Sequence, residues 1–180
     1  MRIVAGRFGG RRLTAPRGDA TRPTSDRVRE ALFSLLGPLD DLRVLDLFAG
    51  SGALAIEALS RGAGHAVLVD SAPAAIRVVR ANLEALEVGA DVAEVRRQDA
   101  RAFLRGARGA GQDYDLVLLD PPYRLAAELG RELSPLLAEV LAPGGRVVSE
   151  SDRRTPLALD LPLIDERRYG DTLIRIHEPQ

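Results

Sequence analysis

No cysteine occurs among the 180 residues, so the chain forms neither a disulfide nor a thiolate metal site. Histidine is nearly as scarce. His65 and His177 stand far apart, which argues against a histidine metal centre or a nucleophile-histidine-acid triad. No apolar run approaches the roughly 18 residues that a membrane-crossing helix needs. The opening Met1-Arg2-Ile3-Val4-Ala5-Gly6 holds no long apolar stretch of the signal-peptide kind, so a cytoplasmic protein without a membrane partner is expected. Lysine is absent too, all 25 basic residues being Arg, and no functional weight rests on that.

The length suits one domain with a substantial core. Net charge is −1, but residues 1–30 carry eight arginines (2, 7, 11, 12, 17, 22, 27 and 29) against Asp19, Asp26 and Glu30. That segment balances at +5 and leaves −6 for the remainder. A basic arm on an acidic body is the pattern of a segment that touches nucleic-acid phosphates, and Arg2, Arg7, Arg11, Arg12, Arg17 and Arg22 are its candidate contacts. A solvated charged face is the plain alternative.

Hydrophobic patterning alternates strand and helix. Strands are expected at 43–48, 66–70, 92–97, 115–120 and 146–150, and helices at 53–61, 73–86, 100–105 and about 126–141, the last stopped by Pro143-Gly144-Gly145. Runs at 161–168 and 172–178, joined through Tyr169-Gly170-Asp171, read as a hairpin. Five β-α repeats closed by an antiparallel pair make an α/β fold, a three-layer doubly wound sheet of seven strands, mostly parallel. Ahead of the repeat, 3–8 and 11–15 around Gly9-Gly10 suggest a small basic β-hairpin. Thr24 or Ser25 can cap a helix at 26–36 whose inward face would be Val28, Ala31, Leu32 and Leu35.

Two motifs carry chemistry. In Asp46-Leu47-Phe48-Ala49-Gly50-Ser51-Gly52, two glycines let the backbone turn sharply beside a ligand, and the following helix aims its first N–H groups at it. Asp70, at the end of the next strand, can accept from both ribose hydroxyls, or simply cap a helix. Asp99 can accept from an adenine amino group, or cap the helix at Ala100. The second motif is Asp120-Pro121-Pro122-Tyr123 after the apolar Leu116-Val117-Leu118-Leu119. Proline lacks an N–H, so the ladder stops there and the Asp120 and Pro121 carbonyls are left to accept from a flat amine-bearing base on which Tyr123 can stack. Asp-Pro and Pro-Pro are also ordinary loop punctuation. Gly50-Ser51-Gly52-Ala53-Leu54-Ala55 fits the dinucleotide fingerprint as well, which keeps an NAD(P)-dependent oxidoreductase as a rival. Asp46 suits a cationic amino group better than a pyrophosphate, and no catalytic Lys, Cys or well-placed His serves a hydride acceptor.

Together, residues 46–52, Asp70, Asp99 and 120–123 resemble the class I S-adenosylmethionine-dependent methyltransferases. Arg22-Pro23-Thr24-Ser25-Asp26-Arg27-Val28-Arg29-Glu30-Ala31-Leu32-Phe33, preceded by a Gly-rich basic stretch at 6–12, narrows this further. It resembles the RsmD family of bacterial small-subunit ribosomal RNA guanine-N2 methyltransferases, over essentially the whole chain. Relatives often carry Phe where Tyr123 stands here, an exchange that leaves stacking intact.

The resemblance implies a Rossmann-like methyltransferase fold that uses S-adenosylmethionine, yields S-adenosylhomocysteine and needs no metal. It implies a monomer that methylates the exocyclic N2 of one guanine of 16S rRNA, within the 30S subunit or a late assembly intermediate. Cofactor contacts are implied at Asp46, Phe48, Ala49, Gly50, Ser51, Gly52, Asp70, Ser71, Asp99 and Ala100, and catalytic ones at Asp120, Pro121, Pro122 and Tyr123. Residues 1–20 would be the RNA-contacting arm and 21–180 the catalytic part of a single domain. DNA or RNA adenine-N6 methyltransferases share the acid-Pro-Pro-aromatic clamp, but the DNA enzymes usually add a target-recognition region not evident here. Protein glutamine methyltransferases generally begin the clamp with Asn and carry a separate helical domain.

Overall fold

Val44-Leu45, Ala66–Val69 and Leu116–Leu119 lack polar alternation, as strands covered on both faces do. The computed structural model describes residues 1–16, 25–122 and 126–179, and sets those runs at the centre of a seven-stranded sheet. In chain order the elements are α1 (Asp26–Leu36), β1 (Arg43–Asp46), α2 (Ala53–Ser60), β2 (His65–Asp70), α3 (Pro73–Ala85), β3 (Ala93–Arg97), α4 (Ala100–Gly109), β4 (Tyr114–Leu119), α5 (Ala126–Ala138), β5 (Leu141–Asp152), β6 (Leu163–Tyr169) and β7 (Thr172–His177). The sheet order is β3-β2-β1-β4-β5-β7-β6, and β7 alone runs against its neighbours. This is the doubly wound, mostly parallel sheet with an antiparallel C-terminal hairpin that the β-α alternation predicts.

Successive strand residues point to opposite faces, so the sheet has two cores. Val44, Leu116, Leu118 and Val148 pack with α1, α2 and α3, while Leu45, Val117, Leu119 and Val147 pack with α4 and α5. Each fully buried aliphatic side chain contributes about 1.5–3 kcal/mol, so these central strands anchor the domain. Among the described residues, no helix is long and apolar enough to cross a membrane.

Several local expectations shift. Helix α4 runs on to Gly109 because Ala100, Phe103, Leu104 and Ala107 keep an i, i+3, i+4, i+7 stripe buried. Helix α5 stops at Ala138, and Pro143-Gly144-Gly145 lies inside β5 instead of after the helix. Leu141 already pairs with Tyr114, and the register shifts before Arg146 pairs with Leu116, so the Pro-Gly-Gly segment is an irregularity of the strand. In α1, the cap is Ser25, one of the two candidates, its Oγ accepting the Val28 N–H at 3.3 Å. The buried face, however, is Val28, Arg29, Leu32, Phe33 and Leu36, with Ala31 and Leu35 only partly covered.

The N-terminal segment folds back on itself, but as a looped arm and not a regular two-stranded hairpin. One bridge joins Arg2 to Arg12, supported by Ile3 N–H to the Arg11 carbonyl and Gly10 N–H to the Ile3 carbonyl, both at 2.9 Å. Ile3 and Leu13 are buried in the core shared with α1 and α2, so the arm is part of the domain's packing. The expected division between 20 and 21 falls outside the described residues.

Candidate active site

Strands β1 and β4 are parallel neighbours from which the chain winds in opposite directions, and in such sheets ligands bind beyond the carboxyl ends at that reversal. Asp46 of β1 pairs in register with Leu118, and the Leu47 N–H bonds the Leu118 carbonyl at 3.2 Å. The glycine loop and Asp120-Pro121-Pro122 therefore leave neighbouring strands at one end of the sheet. Pro121 is buried, Pro122 exposed and Asp120 partly exposed at the rim; Tyr123 lies outside the described residues.

The loop is held from several sides. Gly50 and Gly52 have φ of +55° and +80°, which L side chains rarely adopt. A Cβ on Gly52 would also press on Leu68 at 3.1 Å and Ile56 at 3.2 Å, so α2 starts against bare backbone. Ala49 N–H reaches the Val69 carbonyl at 3.0 Å, and Gly52 N–H the Ala49 carbonyl at 2.6 Å. Asp70 accepts the Gly50 N–H at 2.9 Å and the Ala72 N–H at 2.8 Å. It does not cap α3, whose cap residue is Ala72. Partly exposed at the rim, it keeps lone pairs for ribose hydroxyls.

Asp46 is only 1% exposed and its Oδ1 has no hydrogen-bond partner. Burial pushes its carboxyl up to about 7, against the pull of the Phe48 and Ala55 backbone N–H groups, with the Asp70 charge adding to the rise. An unpartnered buried acid oxygen beside a glycine turn fits a ligand that carries a cationic amine, such as the α-ammonium of S-adenosylmethionine. Asp99 caps α4, accepting from the Arg101 and Ala102 N–H groups at 3.0 and 3.2 Å. Its slight burial works upward, but Arg101 and those N–H groups outweigh it and hold the carboxyl below its usual range. Capping thus engages Asp99, while Ala100 is buried beside it, Ser71 is exposed past Asp70, Phe48 is half-buried and Ala49 is buried.

Sequence and fold comparisons converge on this arrangement. The family described as Conserved hypothetical protein 95 matches residues 1–178. The chain belongs to that family, the RsmD family. Among its relatives, YlbH of Bacillus subtilis, named there as a candidate rRNA methyltransferase, is 40% identical, across 99% of this chain and 98% of its own length. Ribosomal RNA small subunit methyltransferase D of Haemophilus influenzae is 33% identical, across 99% of this chain and 93% of its own. A solved Escherichia coli structure, titled as the candidate methyltransferase yhhF, superposes with a TM-score of 0.81 at 36% identity, covering 100% of this chain and 99% of that one.

In this RsmD-family chain the basic arm lies along α2 and α3, the two helices that follow the glycine loop and β2. Arg7 sits over the Phe8 ring at 4.4 Å, Arg11 donates to the Ala85 carbonyl at 2.6 Å, and Arg12 is exposed. Arg2 pairs with Asp26 at 3.0 Å, and Asp26 also holds the buried Arg29 at 2.8 Å, so Arg2 is partly committed to the fold. Arg17 and Arg22 lie outside the described residues.

The arm's fastenings were not foreseen. Glu57, fully buried in α2, accepts the N–H groups of Val4 at 2.7 Å and Ala5 at 3.0 Å and pairs with Arg61 at 2.8 Å. Ser60 accepts from the Phe8 N–H at 2.9 Å and donates to the Ala5 carbonyl at 2.5 Å. Gly6 passes so close that a Cβ there would overlap the Ser60 carbonyl. Asn82 of α3 reaches both the arm and the glycine loop. A charged residue in the otherwise apolar Ala53-Leu54-Ala55-Ile56-Glu57-Ala58-Leu59 was the available signal for Glu57, since a buried acid requires donors.

Proposed function

We propose that the protein is an S-adenosylmethionine-dependent rRNA methyltransferase whose target atom is the exocyclic N2 of a guanine in small-subunit RNA. The observation that carries this is the pairing, at neighbouring strand ends, of a glycine loop with an unpartnered buried Asp46 oxygen and a partly exposed Asp-Pro-Pro segment. Membership of the RsmD family supports the same substrate class.

Bound S-adenosylmethionine supplies an electrophilic methyl group on a sulfonium, already a good leaving group. Asp46 pairs with its ammonium, and Asp70 and the Asp99-Ala100 turn meet ribose and adenine. The protein's remaining task is placement of the amine in line with that methyl, with water kept out. Guanine N2 is a poor nucleophile because its lone pair is delocalised into the ring. Asp120 accepts one N2 hydrogen and favours the positive charge that develops on nitrogen, the Pro121 carbonyl aligns the second, and as the N–C bond forms and the S–C bond breaks one N2 proton leaves to Asp120 or water. Tyr123 stacks on a base turned out of its RNA helix or loop. The arm's arginines neutralise flanking phosphates, and the particle recognised is the 30S subunit or a late precursor of it.

Incubation with radiolabelled S-adenosylmethionine and either 30S subunits or free 16S RNA from a strain lacking the enzyme, then nucleoside analysis, tests this. Label in N2-methylguanosine is expected, and the better substrate identifies the assembly state. Label in N6-methyladenosine keeps the clamp chemistry but overturns the guanine assignment. Neither label nor cofactor binding overturns the whole reading.

A further inference from the structure

Asn82 stands on the last turn of α3, 4% exposed, with its amide engaged on two otherwise separate structures. Its Oδ1 accepts the Thr14 N–H at 2.9 Å, and its Nδ2 donates to the Thr14 carbonyl at 2.9 Å and to the Ser51 carbonyl at 2.8 Å. The side chain thus reads the Thr14 peptide in both directions, as a neighbouring strand would. Its second amide hydrogen goes to the residue between the two loop glycines. Ser51 meets the arm again at its other end, its Oγ donating to the Met1 sulfur at 3.3 Å.

Only a primary amide provides one acceptor and two donors on so short a stem. Asp keeps the acceptor but sets a charged oxygen against two carbonyl oxygens; Ala leaves the Thr14 and Ser51 groups unsatisfied in a buried place. Among the described residues Asn82 makes no hydrogen bond to Asp46 or to an arm arginine, yet its one amide joins the cofactor loop to the arm.

We propose that Asn82 is a positioning residue that sets the cofactor loop and the RNA-contacting arm at once, so that its loss weakens binding of both ligands together. The inference rests on the proposed function. A loop and an arm fixed before binding need not be ordered by it, whereas without the amide each ligand bears that ordering cost itself.

The test compares wild type with Asn82→Asp, Asn82→Ala and, as a control for general loosening of the same helix, Leu83→Ala. KM for S-adenosylmethionine, Kd for S-adenosylhomocysteine by calorimetry, and Kd for 16S RNA are measured for each. Both Asn82 variants should raise the cofactor and RNA constants by roughly tenfold, the effect of about one buried hydrogen bond, with kcat at saturation changed no more than about threefold. Leu83→Ala should lower the melting temperature and leave these constants near wild type. As pH is lowered, the Asn82→Asp deficit relative to wild type should shrink, because a protonated carboxyl can again donate one hydrogen bond; the Asn82→Ala deficit should not. In the wild-type protein, S-adenosylhomocysteine should slow hydrogen exchange of the Thr14 amide, a readout that needs no variant to fold. Unchanged constants in the Asn82 variants, movement of only one ligand's constant, an equal effect of Leu83→Ala, or no protection at Thr14 each overturns the inference. A wild-type protein that binds no S-adenosylhomocysteine and transfers no methyl group overturns the proposed function instead.

Discussion

Asp70, at the carboxyl end of β2, accepts the backbone N–H of Gly50 across the strand pair at 2.9 Å. Its other oxygen takes the Ala72 N–H at 2.8 Å, so one acid orients both the glycine loop and the entry to α3. Asp46, on the adjacent strand, is the counterpart left short of a partner.

That shortage predicts a pH dependence. The buried Asp46 carboxyl titrates at about 7 in the fold and at 3.8 when unfolded, so between those values the folded state holds a proton that the unfolded state releases. Its contribution therefore makes stability fall as pH rises through that window and level off above it. Asp46→Asn should remove this fall and raise the melting temperature near pH 8. A cationic ammonium at Oδ1 draws the group back toward ionisation, so cofactor binding near pH 7, where about half the carboxyls are protonated, should release up to about half a proton. Calorimetry in buffers of different ionisation heat measures the release, which Asp46→Asn should abolish along with at least tenfold of the affinity. Buffer-independent heats in the wild type would remove the assigned role.

Asp120→Ala should lower kcat by about a hundredfold or more, the usual effect of deleting a group aimed at transition-state charge, while S-adenosylhomocysteine binds as before. Single-turnover methylation and calorimetry separate the two. Undiminished turnover would return Asp120-Pro121-Pro122 to the role of a strand-ending turn.

Replacing Arg7, Arg11 and Arg12 with Gln should weaken RNA binding across sequences without changing cofactor affinity. If each neutralises one phosphate, the slope of log K against log salt should flatten by about two, near 0.7 per contact on single-stranded RNA. Filter binding over a salt series reads this directly, and an unaltered slope marks the arm as a solvated face.

Glu57→Ala removes a buried acceptor from two arm amides and from Arg61. A loss of about 3 kcal/mol is expected, roughly 6–12 °C in melting temperature for a domain of this size. Limited trypsin digestion should then cut after Arg7, Arg11 and Arg12 much faster. Glu57→Gln, which keeps one carbonyl acceptor, should fall between; an arm as protected in Glu57→Ala as in wild type contradicts the fastening.

Much of the fold is legible in local pattern because buried parallel strands cannot be made from polar residues and a helix face repeats every three to four. The order of strands and helices, the Gly50-Ser51-Gly52 turn, the Ser25 cap and the proline stop after β4 all follow from residues within a few positions of one another. Where reading faltered, the deciding contact was distant. Pro143-Gly144-Gly145 looks like a helix terminator until Leu141 pairs with Tyr114, and the face of α1 rotates because the arm covers Arg29.

From the sequence alone came the residue types at each strand end, and with them the chemistry those ends can perform. Tertiary structure decided how those groups are engaged. Asp99 caps α4, Asp70 ties down Gly50, and Asp46 becomes an acid titrating near neutrality once burial strips it of water. It also made the arm part of the domain, through Glu57 and Asn82, whose arm partners lie more than fifty residues away in the chain. Periodicity records which face of an element is buried, not which distant backbone group a buried polar side chain must satisfy. That second fact exists only when the layers are stacked.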